Sequence, residues 1–186
     1  CQIAGELRLA GRVAARPAMP VYLFTYHTYG TWLPDHPRGY VRRGEGVLPT
    51  DHNTANQYRR RMKQATVLLG GEQQKAAIGI LLNAVASIDA KLHGVATEPT
   101  HLHVLTSWND DRTHERIGSS LKRGLTLGLK KRFGDRFGDR QWLSENRSRK
   151  QIKEREHFQH LLADYFPRHS GWKWSEARGY FRTADG

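Results

Sequence analysis

The chain has 186 residues, in which 30 lysines and arginines outnumber 18 aspartates and glutamates, for a net charge of +12 and a pI near 10.2. That length suffices for a single domain with a proper core, and the charge favours a polyanionic partner, most commonly nucleic acid. The sequence has no long apolar run that could span or anchor in a membrane. Its single cysteine, Cys1, excludes an internal disulfide framework and fits a reducing, cytoplasmic environment.

Three segments are expected from the composition. Residues 1–18 are rich in alanine, glycine and arginine and lack the apolar core of a secretory signal. We expect a disordered N-terminal extension there, one domain over 19–171 and a C-terminal tail over 172–186.

The first half of the domain alternates between strands and helices. β-Branched and aromatic residues predict a strand over 21–26. A glycine-, proline- and arginine-rich loop follows over 27–51, and loops of this length are usually functional or disordered. Helices are predicted over 53–63 and 72–91, and apolar residues at helical spacing define the buried face of the second: Ala76, Ile80, Leu81, Ala84, Val85 and Ile88. A strand over 92–97 ends at a turn formed by Glu98 and Pro99.

The second half continues the alternation. A strand is predicted over 102–108, and a helix over 112–132 places Ile117, Leu121, Leu125 and Leu129 inward. Two Phe-Gly-Asp-Arg copies over 133–140 predict a turn, followed by a ragged strand over 141–152 and a helix over 154–166. This order predicts an α+β fold of the ferredoxin-like split βαβ type. It has a central antiparallel sheet with helices on one face, and an added C-terminal helix.

The strand over 102–108 carries the most informative residues of the chain. Side chains of a strand alternate between its faces, so His101 and His103 point the same way while Leu102 points into the core. Two imidazoles on one face of a rigid strand could form half of a divalent metal site. The alternative is a pair of surface histidines on a half-exposed strand.

The segment His101-Leu102-His103 on a central strand, with a tyrosine on a later helix, resembles the HUH endonucleases. It is most similar to the single-tyrosine transposases of small insertion sequences and their REP-associated relatives. The resemblance covers about residues 21–171 and includes three further segments: Tyr-His-Thr-Tyr-Gly-Thr-Trp-Leu over 26–33, Ser-Ser-Leu-Lys-Arg over 119–123, and Trp142 followed by Ser148 and Arg149.

The resemblance implies a nucleophile, a metal and its ligands. Tyr165 falls at the family's nucleophile position, where it would form a covalent 5′-phosphotyrosine; Tyr180 is the competing tyrosine. The metal, Mg²⁺ or Mn²⁺, would bind His101 and His103. Relatives place a polar ligand one helical turn beyond the tyrosine, which is His169 here. Pro167 interrupts that helix, and Glu98 is the alternative third ligand. His27 is either near the metal or a strand-end histidine.

Basic and aromatic residues indicate how DNA would bind. We predict phosphate contacts from seven side chains: Arg38, Arg42, Arg43, Lys122, Arg123, Lys130 and Lys131. Tyr29, Trp32 and Tyr40 lie among arginines and have the composition of a stacking platform for unpaired bases, although Trp32 could instead belong to the core.

The predicted function is a metal-dependent single-stranded DNA endonuclease and strand-transferase, a transposase-like enzyme. Its expected partners are single-stranded or hairpin DNA and a second copy of the chain, since relatives are often dimers. The alternative is a non-catalytic nucleic-acid-binding module on a ferredoxin-like sheet. Against that alternative, the chain has no Gly-Phe-Gly-Phe strand of the RNP type.

Overall fold

A computed structural model of the protein describes residues 19–37, 39–42 and 45–182. In this part of the chain the strands are β1 (Val21–Thr28), β2 (Tyr40–Arg42), β3 (Gly46–Leu48), β4 (Ala90–Thr97), β5 (His101–Trp108), β6 (Leu143–Ile152), β7 (Lys173–Ser175) and β8 (Gly179–Phe181). The helices are α1 (His52–Arg61), α2 (Gly71–Ser87), α3 (His114–Phe137) and α4 (Arg155–His160). A π-helical turn (Leu161–Tyr165) and a 3-10 turn (Phe166–Arg168) follow α4 directly.

The predicted fold class is confirmed. Six strands form an antiparallel sheet in the order β6-β1-β5-β4-β7-β8, so the histidine strand β5 is central, between β1 and β4. The long strands β6, β1, β5 and β4 have the strand order of the ferredoxin-like split βαβ arrangement. The strands β7 and β8 come from the segment expected as a tail, 172–186, and extend the sheet beyond β4. The expected extension, 1–18, lies outside the described residues.

The helices α2 and α3 cover one face of the sheet. Alternate side chains of the central strands, Phe24, Leu102 and Val104, join the inward stripe of α3 in the main hydrophobic core. The predicted inward residues of α3 are all buried: Ile117, Leu121, Leu125 and Leu129. The two helices pack closely because α3 has glycine at the contact; a Cβ on Gly128 would lie 2.7 Å from Cγ1 of Ile80.

The C-terminal helical segment packs on the opposite face. Leu161 and Phe166 form a smaller core with Ala96, Leu105 and Ile152 of the sheet. Gly94 of β4 allows this contact, because a Cβ there would lie 2.7 Å from Cδ2 of Leu162. The expectation of helices on one face therefore holds for α2 and α3, while the added helix lies on the other face.

The structure differs locally from the predicted elements in two places. The segment 133–137, expected as a turn, continues α3, because Phe133 is buried and its ring packs 5.8 Å from that of Trp142. Gly138 then ends the helix with a φ of 67°, which favours glycine. The predicted loop over 27–51 contains the antiparallel pair β2–β3. Within the described residues, no helix combines the length and apolar character needed to cross a membrane.

Candidate functional site

The strand β5 presents His101 and His103 on the sheet face opposite α2 and α3. Across the β1–β5 ladder, His27 pairs with His101 and Thr25 with His103. His103 is only 7% exposed, whereas His101 is partly exposed. The two rings lie 4.9 Å apart between centroids, as the alternation of strand side chains predicts.

His169 joins them from the C-terminal segment. Each of His101, His103 and His169 offers a ring nitrogen, and these three nitrogens lie within 4.8 Å of one another. Imidazole nitrogen is a good ligand for divalent transition metals. Among the described residues, these three histidines are the group of three or more histidine, cysteine or acidic side chains that lie close enough together to bind one metal ion.

An irregular helix end, and not a continued α-helix, brings His169 to the site. The N–H of Phe166 donates to the carbonyl of Leu161 in the π-helical turn, and Pro167 lies in the 3-10 turn, where its missing N–H is tolerated. Because the N–H of His169 donates to Phe166 (N to O, 3.2 Å), the carbonyl of Tyr165 accepts from the His169 side chain instead (O to Nδ1, 3.0 Å). The chain thus leaves the regular α-helix at His160, before Pro167, and His169 stays in contact with Tyr165.

Hydrogen bonds to Nδ1 orient all three rings. A carbonyl only accepts, so Nδ1 of His169 carries the proton and its Nε2 keeps a lone pair in the neutral ring. Nδ1 of His103 bonds Oγ1 of Thr25 at 2.8 Å, and Nδ1 of His101 bonds Oγ1 of Thr100 at 2.9 Å. Such partners fix the tautomer and orientation of metal-binding histidines. Nε2 is therefore the candidate ligand atom of each ring, and the three residues fit a divalent ion.

Burial keeps the innermost rings uncharged. Burial, together with the smaller effects of the nearby rings of His101, His169 and His27, lowers the pKa of His103 to about 3. Burial also lowers the pKa of His27 to about 4, with added effects of His101 and His36. A neutral imidazole is the form that binds a metal, so His103 is ready to act as a ligand at neutral pH.

Tyr165 lies directly beside this cluster. Its hydroxyl is 3.1 Å from Nε2 of His103, and its ring centroid is 4.8 Å from that of His169. The side chain is half-buried at the end of the π-helical turn. Single π-helical turns occur frequently at functional sites. One nitrogen of His103 is thus shared between two roles, as a partner of the tyrosine hydroxyl and as a candidate metal ligand.

The two alternative residues occupy other positions. The carboxylate of Glu98 accepts from the backbone N–H and the hydroxyl of Ser170, both at 2.6 Å, and Glu98 is not in the histidine group. Tyr180 lies on β8, and its hydroxyl contacts α2: a Cβ on Gly79 of that helix would be 3.3 Å from the hydroxyl oxygen. That side of the sheet is opposite the histidines.

An aromatic row extends from the cluster towards the surface. The ring of His27 lies 5.6 Å from that of His101 and 4.5 Å from that of Trp32. Trp32 in turn stacks on His36 at 3.8 Å and is 37% exposed. Trp32 is therefore a surface residue near the candidate metal site and is absent from the main core.

The predicted basic contacts are not gathered around the histidines. Lys122, Arg123, Lys130 and Lys131 lie on α3, which covers the other face of the sheet. The amino group of Lys122 is partly buried, and its pKa is lowered by burial and by the nearby Arg147. Lys130 pairs with Asp139 at 2.6 Å. Arg38 and Arg43 lie outside the described residues, as does the side chain of Arg42.

Sequence reasoning missed the residues that orient the histidines. Thr25 shares a strand face with His27, and Thr100 immediately precedes His101, but neither position alone indicates a partner for an imidazole. The Thr25–His103 contact joins residues 78 positions apart and depends on the β1–β5 register. That register is not readable from periodicity.

A scan against protein-family models gives no match, and no curated protein sequence matches significantly. Two solved structures are similar to this chain at 11% identity. One is a REP-associated tyrosine transposase bound to a REP hairpin, with a TM-score of 0.43 over 79% of this chain and 64% of that one. The other is a putative transposase from Deinococcus radiodurans R1, with a TM-score of 0.44 over 80% and 88%. This chain thus spans less than two thirds of the length of the first of these structures.

Proposed function

We propose that the protein is a metal-dependent endonuclease and strand-transferase for single-stranded DNA, with Tyr165 as its nucleophile. The observation that carries this proposal is the 3.1 Å separation between the Tyr165 hydroxyl and Nε2 of His103, inside the group formed by His101, His103 and His169. A tyrosine beside three convergent imidazoles has the parts that metal-assisted phosphoryl transfer needs.

Tyr165 performs the bond-making step. Its phenolic oxygen bonds to the scissile phosphorus while the bond from phosphorus to the 3′-oxygen breaks. The phenolic proton passes to water, and the departing oxygen takes up a proton to become a 3′-hydroxyl. The DNA 3′ to the cut stays attached through a 5′-phosphotyrosine, and a second 3′-hydroxyl can reverse the step and become joined.

The three histidines hold the metal, Mg²⁺ or Mn²⁺. A bound divalent ion supplies polarisation of a non-bridging phosphate oxygen. Purely histidine ligation favours Mn²⁺, because Mg²⁺ prefers oxygen ligands. Thr25, Thr100 and the carbonyl of Tyr165 keep the rings oriented. Nε2 of His103 is 3.1 Å from the Tyr165 hydroxyl, so a metal ion held at that nitrogen would take the place of this contact and leave the hydroxyl free to face the phosphate.

The substrate we propose is DNA with exposed bases, either single-stranded or next to a hairpin. The exposed, partly stacked Trp32 near His101 offers a surface for an unpaired base. The basic side chains of α3 would contact phosphates of a flanking duplex. The resemblance in sequence also implies a homodimer, which light scattering in solution tests directly.

A labelled-DNA assay tests the proposal. A hairpin with a single-stranded flank is incubated with the protein and Mn²⁺, and products are separated on a denaturing gel. We expect a 3′-labelled strand to remain on the protein and a 5′-labelled strand to be released, because the tyrosine holds the 5′-phosphate. Tyr165→Phe should lose the adduct, while the matched variant Tyr180→Phe should keep it.

Three results would contradict parts of this proposal. An adduct that persists in Tyr165→Phe would show that Tyr165 is not the nucleophile. Undiminished cleavage in excess EDTA would show that the reaction does not need a metal. Hairpin binding without any cleavage in Mn²⁺ or Mg²⁺ favours the alternative, a non-catalytic nucleic-acid-binding module.

A further inference from the structure

Two ionisable side chains outside the histidine group hold the peptide bond between His169 and Ser170. The carbonyl of His169 accepts a hydrogen bond from the amino group of Lys173. The N–H of Ser170 donates to Oε1 of Glu98 at 2.6 Å, and the Ser170 hydroxyl donates to Oε2 at 2.6 Å. One peptide unit is thus bound at both its oxygen and its nitrogen. We call Glu98 and Lys173 the peptide clamp.

The peptide clamp connects the third histidine to the strands that carry the other two. Glu98 lies in the β4–β5 turn, and its N–H donates to the carbonyl of His101 at 2.8 Å. Lys173 lies on β7 and pairs with Ala96 of β4. Both members are therefore fixed to the sheet, so they can set the position of His169 relative to His101 and His103.

The burial of Lys173 requires an explanation that packing does not give. Lysine is almost never fully buried unless its amino group is bonded, because removing it from water is unfavourable. Lys173 has no exposed surface, and its amino group reaches the His169 carbonyl. The amino group also lies 5.9 Å from the centroid of the Phe181 ring, and an apolar residue of the same size could make neither this contact nor the hydrogen bond to His169.

The backbone at this point depends on such support. The last hydrogen bond of the 3-10 turn runs from the N–H of His169 to the carbonyl of Phe166, so the carbonyl of His169 and the N–H of Ser170 lie beyond the helical hydrogen bonds. The next residues are anchored separately: a Cβ on Gly171 would lie 2.2 Å from the carbonyl oxygen of Thr97, and Oγ1 of Thr97 donates to the carbonyl of Trp172 at 2.6 Å. The peptide clamp therefore acts on the short piece that carries the histidine.

We propose that Glu98 and Lys173 are positioning residues that hold His169 in the metal site and thereby set the affinity for the divalent ion. This inference rests on the proposed function, since it takes the three histidines as metal ligands. In this arrangement Glu98 acts through the backbone of Ser170, the residue that follows the ligand His169.

Metal titration of the DNA-free protein tests the inference. Mn²⁺ binding to the folded chain is followed by electron paramagnetic resonance, and thermal unfolding is recorded for the same samples. Lys173→Met and Glu98→Ala should each weaken Mn²⁺ binding about tenfold, at the low end of the effect of removing a partner that orients a ligand. Glu98→Gln should weaken it less, because its amide oxygen still accepts from Ser170.

A matched ion pair on the surface supplies the controls. Lys91 and Glu176 pair at 3.0 Å and are both more than half exposed. Lys91→Met and Glu176→Gln remove the same charges without touching the peptide clamp, so both should bind Mn²⁺ as the parent protein does. A loss of affinity in these controls equal to that in the clamp variants would mean that general electrostatics explain the effect, and would overturn the inference.

The remaining outcomes separate the clamp from the metal site. If Glu98→Ala and Lys173→Met fold and bind Mn²⁺ as the parent protein does, and His103→Ala loses Mn²⁺ binding, the inference about the peptide clamp is overturned but the metal site is supported. If His103→Ala also binds Mn²⁺ unchanged, the metal site of the proposed function fails. If Lys173→Met does not fold, the Mn²⁺ affinities of Glu98→Ala, Glu98→Gln and Glu176→Gln test the inference without it. Equal affinities in the three variants would then overturn it.

Discussion

The two faces of the sheet differ in the residues they bury and in the segments that cover them. The face under α2 and α3 is a continuous apolar core, with Phe24, Leu102 and Val104 fully buried against the helices. The opposite face carries a smaller apolar cluster beside buried polar side chains, among them Thr25 and His103. Its cover is an irregular segment of α, π and 3-10 turns.

Because of this difference, the apolar face contributes most of the stability, and the opposite face carries the candidate functional groups. A close-packed apolar face holds the strands rigidly, and rigid strands position the groups on their other side within narrow limits. The histidine face can therefore keep polar groups oriented for a ligand even though its own apolar cluster is small. Variants on the two faces should have distinct consequences.

Leu121→Ala should have the largest effect on stability. Leu121 is fully buried in the main core, and truncating such a leucine lowers the free energy of unfolding by about 2–5 kcal/mol. Leu127→Ala on the same helix is the control, because Leu127 is 55% exposed. Urea unfolding measures both. Equal losses in the two variants would contradict the assignment of the rigid core to this face.

Thr25→Val should reduce metal binding, and its loss of stability should be similar to that of Thr106→Val, because each change removes one buried, hydrogen-bonded hydroxyl. The change keeps a β-branched side chain but removes the partner of Nδ1 in His103. Loss of such a partner lowers metal affinity about 10- to 100-fold. Thr106→Val on β5 removes a hydroxyl that bonds the carbonyl of Lys91 on the other face. Thr106→Val should lower the melting temperature and leave the Mn²⁺ affinity unchanged. A loss of Mn²⁺ affinity in Thr106→Val but not in Thr25→Val would contradict the proposed difference between the two faces.

The metal-free protein should lose stability in mild acid. Folding lowers the pKa of His103 to about 3 and of His27 to about 4 through burial, from an ordinary value near 6.5. The unfolded chain then binds protons that the folded chain excludes, so the free energy of unfolding falls as pH drops below about 6.5. Urea unfolding in EDTA at pH 8, 6.5 and 5 measures this, and His27→Gln should reduce the slope. Constant stability from pH 6.5 to 5 would contradict the burial of neutral rings.

Trp32→Ala should have the smallest effect. Because Trp32 is partly exposed, we expect little change in melting temperature. If an unpaired base stacks on it, hairpin binding should weaken by about 1 kcal/mol, the low end for one stacked base, since His36 already covers part of the ring. Fluorescence anisotropy with a flanked hairpin and a plain duplex measures the difference. An unchanged ratio of the two affinities would assign Trp32 a purely structural role.

The sequence predicted the apolar face better than the histidine face, for physical reasons. Helical periodicity identified Leu121 and Leu125, and strand alternation placed His101 beside His103, because both patterns are local. Pro167 indicated an interrupted helix, but the π-helical turn at Tyr165 and its close packing on Gly94 depend on contacts between distant segments, which no local pattern reports. Lys173 belongs to a segment expected as a tail, and its role depends on the pairing of β7 with β4.

Mass spectrometry of the protein–DNA adduct tests the central claim most directly. After reaction with a flanked hairpin and Mn²⁺, the protein is digested with nuclease and protease, and the modified peptide is sequenced. The account predicts a nucleotide joined through its 5′-phosphate to Tyr165, in the segment that also carries His169. A nucleotide on Tyr180 or on any other residue would contradict it.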